Sequence, residues 1–548
     1  MAIDEPAPRG FSYLRSLWEL LREGDDGRLV VELALMAIAD VMLLYSLTSA
    51  MRAYQAGEAP TEAIVLFVTS SAVSTLSFVR LLKHASLTFN AAMTGATTRI
   101  LGKLQALDLA EFEALQSSSV LTRLTADTTR VIRSSALLVE VLKSVGLVAL
   151  SLVYFMTRST AAAVLGFGAL AILTALTANK GRRLGMGLSL SEQRKGALLE
   201  TATGMITGIK QVKLHEPRRA DILAEVGAEA DLLEQQRSAV YGRFFADDAL
   251  GFAVFFSLQA FIALGIPLLL GTEKSLTRDL LLAIWYISAS MGLLLKSQPE
   301  LTATAQALDS IRALESRLDG ALERPAAEEQ ALLGFEALSL EDVTYRYKRR
   351  EGSTGGFQLG PLDVTLRRGE LVFVTGGNGS GKSTLLKLLT GLYRRDGGRI
   401  GCDGAALAPV LPQGYRDLFS VILSDFVLFD RLYGMEDESP ARVTALLERM
   451  ELQHKITFAG GRFSSVKLST GQRKRLAMVI ALLQDRPIYV FDEWAADQDP
   501  EFRAAFYREI LPELKARGKT VIAVTHDDDY FSMADRRVHL QNGRLEAI

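Results

Sequence analysis

The sequence predicts a fold in two parts, an α-helical membrane domain with six spans followed by an α/β domain. Six long apolar stretches precede residue 300, and most of them approach the ~20 residues that a helix needs to cross a hydrocarbon layer. Beyond a charged segment at 315–330, β-prone apolar runs alternate with amphipathic helical patterns, which is typical of α/β domains. The six stretches cover residues 28–50, 63–82, 136–156, 160–178, 249–270 and 279–295.

Composition and charge limit the other classes of protein. We divide the 548 residues into a cytosolic N-terminal segment (1–27), a six-helix transmembrane domain (28–314), a linker (315–335) and a C-terminal α/β domain (336–548). The formal net charge of −2 lacks the basic excess of nucleic-acid-binding proteins, so no nucleic-acid partner is expected. Cys402 is the only cysteine, which excludes an intrachain disulfide. The polar first segment predicts no cleavable signal peptide.

The loops between the spans predict the orientation of the chain. Three of the loops are short and carry few basic residues, whereas the second and fourth are long and rich in Lys and Arg. The positive-inside rule therefore places both long loops, both termini and the α/β domain in the cytoplasm of a multi-pass membrane protein. Helical periodicity inside the long loops indicates that the spans continue into the cytosol, turning around near 108–113 and 208–216.

Ionisable residues within the spans are candidates for a cargo cavity. Intramembrane charges usually face a bundle interior or water, so Asp40, Arg80, Glu140 and Lys143 are the candidates for contact with cargo. Arg80 lies near a span end, and its alternative is to extend its charge to the membrane surface. Glu140 and Lys143 are three residues apart on one helix face, and their alternative is to pair with each other.

A phosphate-binding loop opens the first helix of the α/β domain. The pattern G-x-x-x-x-G-K-[ST] follows a β-rich run, so glycines let the backbone curl around phosphates at a helix N-terminus. In this pattern Lys382 reaches the outer phosphates and Ser383 offers a hydroxyl to Mg²⁺. The loop residues are Gly376, Gly377, Asn378, Gly379, Ser380, Gly381, Lys382, Ser383 and Thr384. The domain is thus predicted to be a P-loop NTPase.

Acidic residues follow a second buried strand, in the stretch IYVFDEWAADQDP. Asp492 at the strand end is expected to support Mg²⁺ at the loop, and Glu493 to orient or deprotonate the attacking water. A third run, TVIAVTH, ends in His526, which can hydrogen-bond the terminal phosphate or serve only a structural role. Ser469 and Gly471 precede a further helix, whose N-terminus suits an anion brought by a second copy of the domain.

These residues together resemble the ATP-binding cassette (ABC) transporters over nearly the whole chain. The resemblance rests on GGNGSGKST (376–384), LSTGQ (468–472), FDE (491–493) and TH (525–526), in the family's order. Six spans ahead of one cassette resemble an exporter-type half-transporter, which implies a homodimer in a lipid bilayer that uses ATP and Mg²⁺. The phosphate loop of one subunit would then face Ser469, Gly471 and Gln472 of the other. The resemblance also implies that Lys382, Glu493 and His526 take part in hydrolysis.

The resemblance extends to further positions and shows two departures. It implies that the Tyr347 ring stacks on adenine, with Tyr345 as the alternative. Where the family usually has a glutamine that contacts Mg²⁺, this chain has Ser424 followed by Asp425, so Asp425 is a candidate metal ligand. The segment WAADQDP stands where the family usually has TSALD, and Asp499 takes the place of the aspartate of that loop.

Two longer strings resemble one branch of the family. DEWAADQDPEFR and YRDLFSVILSDFVLFD are similar to bacterial exporters of cyclic peptides and peptide siderophores, the pyoverdine and syringomycin exporter group. This resemblance implies ATP-driven export of a peptide-like cargo across the bacterial inner membrane. The alternatives are a lipid or multidrug flippase-exporter and a siderophore importer built on the exporter fold. A soluble cassette ATPase is a further class, and six spans argue against it.

Overall fold

The computed structural model describes residues 28–115, 117–158, 194–265, 274–321, 334–347 and 357–546, together with the single residues 19, 187, 191 and 268. The chain divides into two compact units. The helical unit comprises Met1–Gly102 and Gln116–Leu318, and the α/β unit comprises Lys103–Leu115 and Asp319–Ile548. The α/β unit therefore includes a short piece of chain, 103–115, that in sequence lies within the helical unit.

Long helices make up the described part of the helical unit. Helix α2 (Thr61–Gln105) has 45 residues, so at 1.5 Å per residue it measures about 65 Å, roughly twice the thickness of a hydrocarbon layer. Helix α3 (Leu109–Ala114) belongs to the α/β unit. Helices with both bounds described in the helical unit are α1 (Arg28–Gln55), α2 (Thr61–Gln105), α4 (Ser117–Thr122), α5 (Thr128–Arg158), α6 (Ile209–Leu214), α7 (Glu216–Ala260) and α8 (Lys274–Ala321). The π-helix Arg123–Asp127 joins α4 to α5.

Three helices in the described part of the chain are long and apolar enough to span a membrane. They are Arg28–Gln55, Thr61–Gln105 and Val120–Ser151, and they overlap the first three predicted spans. The fourth predicted span, 160–178, lies outside the described residues, as does part of the fifth. The rest of the fifth span lies on α7 and on the π-helix Phe261–Gly265 after it, and the sixth lies on α8.

The long loops turn where the sequence predicts. The short helices α3 and α6 lie at the two expected turning points near 108–113 and 208–216. Asp108 caps α3, because its carboxylate accepts a hydrogen bond from the Ala110 backbone N–H at 2.9 Å. The predicted helical extension beyond the second span is confirmed by the uninterrupted run of α2 to Gln105. The placement of this extension in the cytosol stays a prediction.

Two main sheets form the α/β unit. The strands are β1 (Ala337–Arg346), β2 (Gln358–Arg367), β3 (Leu371–Thr375), β4 (Gly397–Cys402), β5 (Ala405–Ala406), β6 (Phe419–Ile422), β7 (Phe458–Ala459), β8 (Arg462–Phe463), β9 (Ile488–Asp492), β10 (Thr520–Val524), β11 (Arg536–Gln541) and β12 (Arg544–Glu546). A four-stranded sheet has the order β2-β1-β4-β5, and a six-stranded sheet has the order β12-β11-β3-β10-β9-β6. In the second sheet, β6, β9, β10, β3 and β11 are parallel.

The helices of the α/β unit cover this parallel sheet. Every residue of β3, β9 and β10 is buried, as expected for parallel strands that are covered on both faces. The helices are α9 (Lys382–Leu389), α10 (Gln413–Arg416), α11 (Pro440–Arg449), α12 (Thr470–Gln484), α13 (Pro500–Ala505) and α14 (Leu511–Ala516). Because parallel strands end at the same edge, the residues that follow β3, β9 and β10 meet in one place.

Helix α3 packs within the α/β unit through one acidic side chain. Glu113 accepts a hydrogen bond from the Lys387 ammonium at 2.7 Å and another from the Tyr393 hydroxyl. Tyr393 in turn stacks on Tyr345 with ring centroids 4.9 Å apart. Burial, and then the hydrogen bond to Glu113, raise the pKa of Tyr393 well above its usual value, which keeps the hydroxyl protonated as the donor.

Candidate functional site

The phosphate loop joins β3 to α9 and requires glycine at its first position. Gly376 has φ of +146°, and a Cβ there would lie 2.2 Å from the Leu540 carbonyl oxygen. Gly379 and Gly381 also have positive φ, the left-handed region that favours glycine. Residues 377–379 are exposed, so the loop can be approached by a ligand. The loop therefore has the tight curvature that phosphate binding demands.

Lys382 lies inside this loop. Its ammonium is buried and donates to the Gly376 and Gly377 carbonyl oxygens at 2.9 and 3.0 Å. The Ser380 hydroxyl oxygen is buried and has no hydrogen-bond partner in the described part of the chain. A buried polar group without a partner is costly, so this hydroxyl is suited to a ligand oxygen. Both features fit the binding of phosphate groups.

Two oxygen donors meet beside the loop. The Ser383 hydroxyl donates to Asp492 Oδ2 at 3.0 Å, and Asp492 is 2 % exposed. Mg²⁺ is usually held by one or two protein oxygens together with the phosphates of its substrate. Ser383 and Asp492 therefore fit a Mg²⁺ ion at this position.

Glu493 extends beyond the end of β9 toward two basic groups. Its carboxylate Oε1 lies 3.3 Å from His526 Nε2 and 4.0 Å from Lys382 Nζ. Glu493 has a left-handed backbone, with φ of +52°. Its side chain is 40 % exposed and that of His526 is 49 % exposed, so water can reach both. The structure thus brings together three side chains that the sequence predicted to act in hydrolysis.

The two tyrosines proposed for adenine stacking have different environments. Tyr345 is buried in a core cluster that includes residues of both main sheets, and Tyr393 stacks on its ring. Tyr347 follows the end of β1, is 37 % exposed, and places its hydroxyl 3.0 Å from Thr384 Oγ1. Tyr347 is therefore the tyrosine that is available at the loop.

The LSTGQ motif forms the N-terminus of α12. Ser469 is the N-cap, and its hydroxyl accepts a hydrogen bond from the Gln472 backbone N–H at 3.4 Å. The Gln472 side chain completes a capping box by accepting from the Ser469 N–H at 3.3 Å. Ser469 is exposed, and a Cβ at Gly471 would lie 2.8 Å from the Asp497 carbonyl oxygen. The motif is thus rigid and accessible from outside.

Lys474, which the sequence did not single out, contacts Glu493 and the segment after it. The buried Lys474 ammonium donates to the Glu493 carbonyl oxygen at 2.6 Å and lies 2.6 Å from Asp497 Oδ2. The buried Trp494 indole donates back to the Lys474 carbonyl oxygen at 2.8 Å. The charge run RKR after LSTGQ was the only sequence signal for this contact.

Arg475 contacts the second half of the same segment. Its guanidinium donates to Gln498 Oε1 at 3.0 Å, pairs with Asp499, and lies 3.7 Å above the Phe502 ring centroid. Asp499 also caps α13 by accepting from the Phe502 N–H at 2.8 Å. That backbone hydrogen bond, followed by the Arg475 charge, holds the pKa of Asp499 below its usual value. The segment WAADQDP is therefore held by ion pairs and hydrogen bonds to the basic residues of QRKR in the same chain.

The candidate metal ligand Asp425 lies in the turn after β6. Asp425 and Ser424 are both exposed there. Gln413, which lies too far upstream for the family's glutamine, begins α10 and donates to Asp417 Oδ1 at 3.2 Å. The role of Asp425 toward Mg²⁺ stays a prediction.

The helical unit holds a polar cluster among α1, α2 and α5. Asp40 is 2 % exposed and accepts a hydrogen bond from the Ser74 hydroxyl at 2.6 Å. The Lys143 ammonium lies 3.7 Å from Asp40 Oδ2, so within the described residues its ion pair is with Asp40 and not with Glu140. Glu140 is half-buried on α5. Sequence spacing suggested that Lys143 pairs with Glu140 on the same helix, whereas the packing of the three helices places Lys143 beside Asp40.

A family match and a solved structure indicate what this chain is similar to. Residues 359–496 match the family described as ABC transporter. The matched residues lie in the α/β unit and include the phosphate loop, Asp492 and Glu493. A solved structure described as a bacterial Atm1-family ABC exporter with ATP bound has the same fold, with a TM-score of 0.76 at 19 % identity over 95 % of both chains.

Curated relatives come from more than one branch. The chain is 36 % identical to "ATP-binding protein SyrD" of Pseudomonas syringae pv. syringae over 63 % of each chain. It is 34 % identical to an "ATP-dependent lipid A-core flippase" of Ralstonia nicotianae over 38 % of this chain and 37 % of that one. The matches thus span less than two thirds of these relatives' lengths.

Proposed function

We propose that this chain is an inner-membrane ABC exporter that couples ATP hydrolysis to the outward transport of a peptide-like cargo. The observation that carries the ATPase part is the meeting of Lys382, Glu493 and His526 beside the Ser383–Asp492 pair. Lys382 and Ser383 lie after β3, Asp492 ends β9 with Glu493 next to it, and His526 follows β10. Ligands bind at such carboxyl ends of parallel strands in α/β folds.

Each residue of the site has its own role in the proposed hydrolysis. Lys382 offsets the charge of the outer phosphates, and Ser383 and Asp492 would hold Mg²⁺, which would add positive charge at the same oxygens. Glu493 accepts a proton from the attacking water as the water oxygen bonds to the terminal phosphorus, and the bond from that phosphorus to the bridging oxygen breaks so that the bridging oxygen leaves with ADP. His526 hydrogen-bonds the terminal phosphate, and Tyr347 stacks on adenine. The products are ADP and phosphate.

The site is complete only in a homodimer under this proposal. Ser469, Gly471 and Gln472 form a capped helix N-terminus at which Ser469 is exposed, and this suits the terminal phosphate of ATP held by a second copy. Binding of two ATP molecules would draw the α/β units together and switch the membrane cavity between inward- and outward-facing states. A purified chain that stayed a single subunit in saturating Mg-ATP, yet hydrolysed ATP normally, would contradict this scheme.

The peptide-like cargo is supported by the branch-specific strings and by the similarity to SyrD. A cyclic peptide or peptide siderophore is the cargo that this branch implies. Contact of cargo with Asp40, Glu140 or Lys143 is part of the proposal. An unchanged transport rate after Asp40→Ala would remove Asp40 from it.

A lipid flippase is the second candidate, because one relative carries that description. Inside-out vesicles containing the full chain distinguish the two when they are supplied with Mg-ATP. We expect ATP-dependent uptake of a labelled cyclic peptide and faster ATP hydrolysis in its presence. Transfer of a labelled lipid between leaflets, without peptide uptake, would favour the flippase. The variant Glu493→Gln controls for leakage in both assays.

A further inference from the structure

Lys474 contacts the residue assigned as the catalytic base, although it belongs to the helix that begins at LSTGQ. Its side chain is 7 % exposed, and its ammonium lies 2.6 Å from the Glu493 carbonyl oxygen and 2.6 Å from Asp497 Oδ2. A buried ammonium is costly unless it is paired and hydrogen-bonded. These two oxygens supply both kinds of contact.

The backbone of Glu493 needs such a contact. A left-handed conformation at a residue other than glycine costs about 1–3 kcal/mol and persists only where the surroundings enforce it. On one side, the Glu493 N–H donates to the Val524 carbonyl oxygen at 3.2 Å, which ties it to β10. On the other side, Lys474 holds the Glu493 carbonyl oxygen. The two contacts together fix the direction in which the Glu493 side chain leaves the strand.

We propose that Lys474 is a positioning residue for hydrolysis, which acts by holding Glu493 in its left-handed conformation beside His526. This inference rests on the proposed ATPase function and adds a residue to it. In the proposed homodimer, Lys474 also connects the base of one nucleotide site to the LSTGQ motif that serves the other. The link runs within one helix, because Ser469 caps α12 and Lys474 lies in its first turns.

The chain contains a matched control for this contact. Lys519 also donates to a backbone carbonyl oxygen, that of Asp485, at 2.8 Å, and its ammonium lies 3.0 Å from Asp485 Oδ1. Its side chain is 16 % exposed, close to the 7 % of Lys474. Lys519→Met therefore removes the same kind of interaction at a place that contacts none of the assigned site residues.

The test compares steady-state ATP hydrolysis by the full chain in lipid nanodiscs for the wild type, Lys474→Met, Lys474→Arg and Lys519→Met. Binding of a fluorescent ATP analogue and the melting temperature are measured on the same samples. We expect Lys474→Met to lower kcat by about 10- to 100-fold, as for other displaced catalytic groups, with nucleotide affinity within about twofold of wild type. Lys474→Arg keeps the donors and should recover part of kcat, and Lys519→Met should leave kcat unchanged.

Each outcome has a separate meaning. A Lys474→Met variant with wild-type kcat overturns the inference, and so does a loss of kcat that Lys519→Met reproduces. Hydrogen exchange on peptides covering 493–499 gives a readout that does not need turnover, and unchanged protection there would also contradict the role. An inactive wild-type chain would instead refute the proposed function itself.

Discussion

Replacement of Glu493 by Gln tests the assigned base most directly. Gln has the same size and leaves the 3.3 Å contact to His526 possible, but it cannot accept a proton from water. General-base catalysis contributes about 10²–10⁴-fold, so kcat should fall by that factor. At ~1.36 kcal/mol per tenfold change, the barrier rises by roughly 3–5 kcal/mol. Phosphate release from Mg-ATP in nanodiscs measures kcat, and a fluorescent analogue measures nucleotide affinity.

We expect the affinity to be retained or increased, because Glu493 lies 4.0 Å from Lys382 and the change removes a negative charge from the phosphate site. Glu448→Gln, on the exposed face of α11, is the control and should hydrolyse ATP at the wild-type rate. Hydrolysis by Glu493→Gln within about threefold of wild type would refute the assignment, since that is far below the range for a general base.

Three further changes test other contacts. Tyr347→Ala should weaken ATP binding by about 5- to 150-fold, the value of one stacked base, whereas Tyr345→Ala should lower the free energy of unfolding by about 3–5 kcal/mol, as for a buried aromatic. Equilibrium binding measures the first effect and thermal melting the second, and equal effects of the two variants would contradict the assignment. Asp40→Asn should lower the melting temperature by leaving Lys143 without its carboxylate, and the double variant with Lys143→Met should restore it; a double variant no more stable than Asp40→Asn would contradict this. Glu113→Gln replaces the carboxylate that accepts from both the Lys387 ammonium and the Tyr393 hydroxyl, so it should lower the melting temperature, because hydrogen bonds to a charged group are the stronger ones; an unchanged melting temperature would contradict this.

Much of the site was predictable from the sequence, because its residues stand in short motifs at strand ends. Runs such as LVFVT and IYVFD indicate buried strands, and parallel strands bring their carboxyl ends together. The proximity of Glu493 to Lys382 and His526 follows from this topology, although the three residues are far apart in sequence.

The choice between the tyrosines required the structure. Residues two apart in a strand point to the same face, so alternation alone cannot separate Tyr345 from Tyr347. The difference arises because β1 ends at Arg346, so that only Tyr345 lies within the sheet. The contact of Tyr393 with Glu113 was equally hidden, because 280 positions separate them in sequence.

The ion pair in the helical unit shows another limit. Local spacing identifies Glu140 as a neighbour of Lys143, since residues three apart share a helix face. The partner that the structure gives Lys143 is Asp40 on another helix. Pairing between helices depends on their rotation about their own axes, which a single sequence does not specify.

The only cysteine of the chain makes conformational experiments simpler. Cys402 is buried in β4, and burial raises the pKa of its thiol, so little reactive thiolate forms at neutral pH. Spin labels or fluorophores attached to engineered surface cysteines would therefore report from the chosen position alone. Distances between two such probes across the proposed homodimer can be followed during turnover in an otherwise native chain.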